Sequence, residues 1–145
     1  MSFRRGRDRG FTLIELVIVI AVISIITTMA IPSLWAARKN ANEAAAIGSL
    51  RSLVTVGSMY RSRFQVFAPA LADLQARGYI DSVLGSGQKA GYTFTYVQAG
   101  PDAWHCNGDP TTPGTTGDRH FYADDSGVIR VDGAAAATAA SPPVE

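Results

Sequence analysis

The sequence is poor in the residues from which sites are usually built. It has one cysteine, Cys106, so no disulfide can form within the chain, and only two histidines, His105 and His120. His105 and Cys106 are adjacent and point to opposite faces of any strand, while His120 is remote, so no metal-ligand spacing exists and no metal or other cofactor is expected. A nucleophile elbow, a phosphate loop and a recognisable pair of catalytic carboxylates are all missing, which excludes the common enzyme classes. The lone thiol is read as buried, because free cysteine behaves as a small hydrophobe.

Charge is scarce over one long stretch. From Leu16 to Ala37 there are 22 residues without a charged side chain. As a helix this run spans roughly 33 Å, enough to cross a hydrocarbon core of about 30 Å. Ahead of it, Met1–Gly10 concentrates Arg4, Arg5, Arg7 and Arg9 against Asp8, within an overall net charge of +1. Without that segment nine basic and eleven acidic residues remain, a charge of −2. Such a chain has no global field to draw it to nucleic acid, which is not an expected partner, although a local patch at Arg119 and Arg130 stays open.

Five segments follow: a basic leader (residues 1–10), an apolar helix (11–37), its amphipathic continuation (38–64), a small globular head (65–133) and an Ala/Pro tail (134–145) expected to be mobile. Within 38–64, Ala46, Leu50, Leu53, Gly57, Tyr60 and Phe64 share one helical stripe on which the head should pack. Pro69–Gly78 reads as a short helix with Pro69 in its first turn and Gly78 just past its end. Gly85–Gly91 reads as loop. Tyr92–Val97 alternates as a half-buried strand, Ala103–Cys106 is a candidate second strand, and Asn107–Asp118 is loop. Arg119–Ala123 and Val128–Val131 read as a hairpin closed by Asp124–Gly127. The fold class is therefore α+β, a long N-terminal helix packed on a small antiparallel sheet of about four strands.

Aromatic residues Tyr92, Phe94, Tyr96, Trp104, Phe121 and Tyr122 are read as the core of that sheet rather than an exposed ligand patch. Asp102, Asp109, Asp118, Asp124 and Asp125 are read as solvated turn residues, since no calcium-ligand series matches them.

A basic start and an apolar run also mark a secretory signal. Here the run is too long for one, Glu15 lies inside it, and the small residue Gly10 precedes it rather than following it. The segment RGFTLIELVIVIAVISIITTMAIP (Arg9–Pro32) resembles the N-terminal signature of type IV prepilins and of type II secretion pseudopilins. The resemblance implies that prepilin peptidase cuts between Gly10 and Phe11 and N-methylates Phe11. It matches Glu15 to the family's glutamate at the fifth mature position and Pro32 to its helix-kinking proline; Ser24 stands where many pilins have a helix-loosening glycine. The implied protein is a pilin, anchored once in the inner membrane with its leader in the cytoplasm. It then polymerises, through an assembly platform, into an extracellular type IV pilus. A pseudopilin, or a minor pilin serving adhesion or DNA uptake, is the alternative.

Physics assigns two of these residues independently. A carboxylate in a membrane helix is costly and seeks a partner, which the new amine of Phe11 would supply to Glu15, within or between chains. Pro32 removes an amide donor and deprives the Thr28 carbonyl of its partner. With hydroxyls at Ser24, Thr27 and Thr28 nearby, a kink or a non-helical stretch is expected between Ser24 and Pro32.

Overall fold

A computed structural model of the chain describes residues 10–144. The leader up to Arg9 and the C-terminal Glu145 lie outside the described residues. The order of elements is α1 (Leu13–Phe64), α2 (Leu71–Ala76), α3 (Ser82–Gly85), β1 (Gln88–Lys89), β2 (Tyr92–Gly100), β3 (Ala103–Pro110), β4 (His120–Asp124) and β5 (Ile129–Asp132). The five strands form one antiparallel sheet in the order β1-β2-β3-β4-β5. The chain divides into two compact units, one ending at Ala36 and one beginning at Ala37.

The second unit is the α+β body expected from the sequence. Ala46, Leu50, Leu53, Gly57 and Tyr60 are buried along one face of α1, and Phe64 packs at its edge. Against them lie Leu71, Leu74 and Leu84 from the short helices, and Tyr92, Phe94, Trp104, Cys106 and Phe121 from the sheet. Along β3 burial alternates residue by residue, so Trp104 and Cys106 face the helix while His105 and Asn107 do not. Tyr96 stacks on Trp104 at 5.3 Å, and Tyr122 sits half-buried on the other face against His105. The aromatic set is therefore mainly core, and burial pushes the Cys106 thiol up to about 12.

Several boundaries differ from the reading above, each for a local reason. The expected loop Gly85–Gly91 holds the end of α3 and the strand β1, giving five strands instead of four. Asp81 caps α3 by accepting from the Leu84 amide at 2.7 Å. Ala90 and Gly91, both at positive φ, then reverse the chain so that Lys89 pairs with Tyr92. β3 continues four residues beyond Cys106, because Gly108 and Pro110 fit the buried face against β2. Pro69 precedes α2 rather than opening it, with Ala70 at the cap, and Gly78 at φ +74 ends the helix as read.

The largest difference is the tail. Its Ala/Pro composition has no apolar period, yet it lies along the free edge of β5. The Val131 amide donates to the Pro142 carbonyl at 2.9 Å and the Val144 amide to the Ile129 carbonyl at 2.8 Å. Asn107 Nδ2 holds the Ala137 carbonyl at 2.8 Å and Arg130 Nη1 the Ser141 carbonyl at 3.0 Å, with Ala137 and Ser141 buried. An unpaired strand edge is a standing template for hydrogen bonding, and composition gives no sign of which segment will fill it.

Candidate functional site

The residues singled out for processing and assembly all lie on the first unit. Gly10 and Phe11 precede α1, and Phe11 is 82% exposed. From Gly10 to Arg38 every residue is exposed, including sixteen large apolar side chains from Phe11 to Trp35. α1 is the one helix among the described residues long and apolar enough to cross a membrane, and none of its apolar window is buried. A helix hydrophobic all round is not built to face water.

The start of α1 is a capping box. Thr12 Oγ1 accepts from the Glu15 amide at 3.2 Å. The Glu15 carboxylate in turn accepts from the Thr12 amide at 3.0 Å and from its hydroxyl at 2.8 Å. Three orphan donors at a helix end are thus satisfied within four residues. Glu15 therefore serves its own helix terminus in the single chain. The sequence already contained this signal, a Thr three residues before a Glu at the head of an apolar run, but the charge of Glu15 drew attention to a distant partner first.

The expected non-helical stretch is not found. α1 is helical without a break from Leu13 to Phe64, with Pro32 inside it. Nor do the nearby hydroxyls serve Thr28. Ser24 donates to the Ile20 carbonyl at 2.7 Å, Thr27 to Ile23 at 2.7 Å and Thr28 to Ser24 at 2.8 Å. Side chains on a helix lean toward its N-terminus, so a hydroxyl reaches the carbonyl four residues back and never one ahead of it. Only positions 31 and 32 could reach Thr28, and these are Ile31 and Pro32.

In the second unit the structure reveals a site that sequence reasoning missed. Glu43, only 4% exposed, accepts from the Asp118 amide at 2.9 Å, the Arg119 amide at 3.3 Å and Arg119 Nε at 2.7 Å. Lys39 pairs with Asp118 at 2.6 Å, and Asn42 Nδ2 donates to the Thr116 carbonyl at 2.9 Å. One helical turn thereby fastens the Thr-rich loop before β4. The stripe read from Ala46 onward, extended back by three residues, arrives at Glu43; its charge kept it off the list of core positions.

The other polar candidates are tied down singly. Asp102 pairs with Arg61 at 2.7 Å, Asp109 with His120 at 2.6 Å, and Asp124 caps the β4–β5 turn through Ser126. The proposed local patch is dispersed: Arg119 is engaged by Glu43 and Arg130 by the tail. Among the described residues no group of three or more His, Cys, Asp or Glu side chains is placed to hold a metal ion.

Residues 5–31 match the family model described as the prokaryotic N-terminal methylation motif. The chain is 49% identical over 53 residues to the type IV wide pilus major component PilA4 of Thermus thermophilus, covering 37% of this chain and 40% of that protein. It is 35% identical over 75 residues to the type IV major pilin protein PilA of Myxococcus xanthus, covering 50% of this chain and 34% of that protein. With the competence protein ComGC of Bacillus subtilis it shares 29% identity over 84 residues, 57% of this chain and 86% of that protein. The chain thus spans less than half the length of the first two relatives. Its N-terminal segment carries the cleavage and methylation signature of type IV pilins and pseudopilins.

Proposed function

We propose that this chain is a structural pilin, cut between Gly10 and Phe11, N-methylated on Phe11 and polymerised through α1 into a type IV pilus. The observation that carries the reading is a helix apolar on every side, exposed throughout Phe11–Trp35, behind a methylation motif. An apolar surface of that length needs lipid first and then other copies of itself, at roughly 25 cal/mol per Å² buried. The four leader arginines outnumber Arg38 and Lys39 beyond the span, which favours a cytoplasmic leader and an external head in the precursor. Prepilin peptidase and an inner-membrane platform are the partners this route requires. Ser24 and Pro32 are the positions at which the helix would bend or open on assembly, since an opened turn can be re-satisfied only among neighbouring chains.

Intact-mass analysis of the protein sheared from cells, with electron microscopy of the same material, tests this. The expected result is a chain starting at methylated Phe11 in long surface fibres. A chain starting near Ala37 contradicts the reading. A methylated chain without long fibres favours a pseudopilin, a reading the match across most of ComGC also supports.

A further inference from the structure

We propose that Arg63 and Arg77 form a binding site for the phosphate backbone of a nucleic-acid strand, at the end of α1. Most cations of the head are spent on carboxylates: Lys39 on Asp118, Arg61 on Asp102, Lys89 on Asp81 and Arg119 on Glu43. Arg63 and Arg77 have no carboxylate within 4 Å among the described residues, and Asp73, one turn before Arg77, does not pair with it. Both are exposed, and both guanidinium groups sit on the same ring: Arg77 lies 4.3 Å and Arg63 5.7 Å from the centre of Phe64. Arg77 also lies 5.6 Å from the ring of Tyr60. The two charges are therefore at most about 10 Å apart. The negative end of α1 accounts for Arg63, but not for a second unpaired cation on the same ring.

Arg63, Phe64, Arg77 and Tyr79 line a recess of about 290 Å³. The space admits a phosphate and its sugar, not a base pair, so a strand would pass through it by its backbone. Guanidinium groups bind phosphate by two parallel hydrogen bonds and present flat faces to bases. Cations interleaved with aromatic rings are the recurring surface for single strands. The net charge of −2 after leader removal does not oppose this at physiological salt, where charges beyond about 8 Å are screened. The proposal concerns the head alone and stands whether or not the chain forms a pilus.

The test uses the full chain in detergent and a fluorescent single-stranded 20-mer, followed by anisotropy across a salt series. Arg63→Ala with Arg77→Ala is expected to weaken binding about tenfold or more. It should also reduce the salt slope by roughly 1.4, two phosphates at about 0.7 each. Arg38→Ala with Arg51→Ala, an equal loss of charge at two other exposed arginines, is expected to leave binding unchanged. Equal losses in both double variants, or none in the first, overturn the site. So does tighter binding of polygalacturonate through the same two arginines, which would make it an acidic-sugar site. Because Arg77 also packs on α1, Arg63→Glu serves as the second variant: it leaves that packing intact and should still weaken binding.

Discussion

The two halves of α1 are one helix with two different sources of order. Up to Ala36 nothing from the rest of the chain is needed: Thr12 and Glu15 close its start on each other, and Ser24, Thr27 and Thr28 bond only to carbonyls of the helix itself. From Ala37 onward the hydrogen bonds and contacts reach far along the sequence. Glu43 meets Arg119, Asn42 meets Thr116, and Gly57 lies against Trp104. The first half is a finished surface awaiting an environment, and the second is half of a core. A helix in which polar groups are satisfied locally can pass from lipid to a protein interior without rearranging bonds to anything else.

The sharpest way to test this division is to attack each half separately. Glu15→Gln should abolish filaments while leaving the amount of membrane-inserted precursor unchanged, measured by fractionation and imaging. Normal piliation removes Glu15 from assembly. Trp104→Ala should destabilise the head by about 3–5 kcal/mol, while circular dichroism in detergent retains the signal of the apolar half. Loss of all helical signal in one step would make the halves a single cooperative unit.

Smaller effects grade the second half. Glu43→Ala strands two backbone amides and the Arg119 side chain, and should cost about 2 kcal/mol in chemical denaturation. An unchanged midpoint would mean that water replaces the carboxylate. Gly57→Ala should stabilise by roughly 0.5–1 kcal/mol, because its methyl group meets the Trp104 ring at 3.5 Å, an ordinary contact. Destabilisation there would mean that the ring cannot accept even a methyl. The smallest effect concerns acid. A hydrogen bond from Lys89, helped by the Leu84 amide, holds Asp81 below the usual carboxylate range. Its contribution is present above about pH 4 and lost as pH falls through the lowered value. Asp81→Asn should flatten the stability curve in that acid window, and an unaltered curve removes the pair from consideration.

What was legible from the sequence divides along the same line. The apolar run, the stripe from Ala46 to Tyr60 and the alternation of Tyr92–Val97 each depend on residues close in sequence, and each appears in the structure at its expected place. The tail, β1 and the Glu43 site depend on residues that meet across the fold. Val144 pairs with Ile129, Asp118 with Glu43, and no period or composition joins those positions in advance. Pro32 is intermediate. Its missing donor was evident, but the direction in which hydroxyls lean decides which carbonyls they can serve, and that excluded Thr28.

The capping box gives Glu15 a consequence for the thermodynamics of growth. In the lone chain the carboxylate is already in use, so a bond to an amine on another chain does not simply add to the total: a donor pair at Thr12 is released as the new contact forms. Joining the fibre is then an exchange of partners with a small net difference, while the apolar surface supplies the drive. An exchange of that kind runs readily in either direction. The residue that sets register would thus also keep a subunit recoverable, and a fibre built on it could be dismantled from its end and its pieces used again.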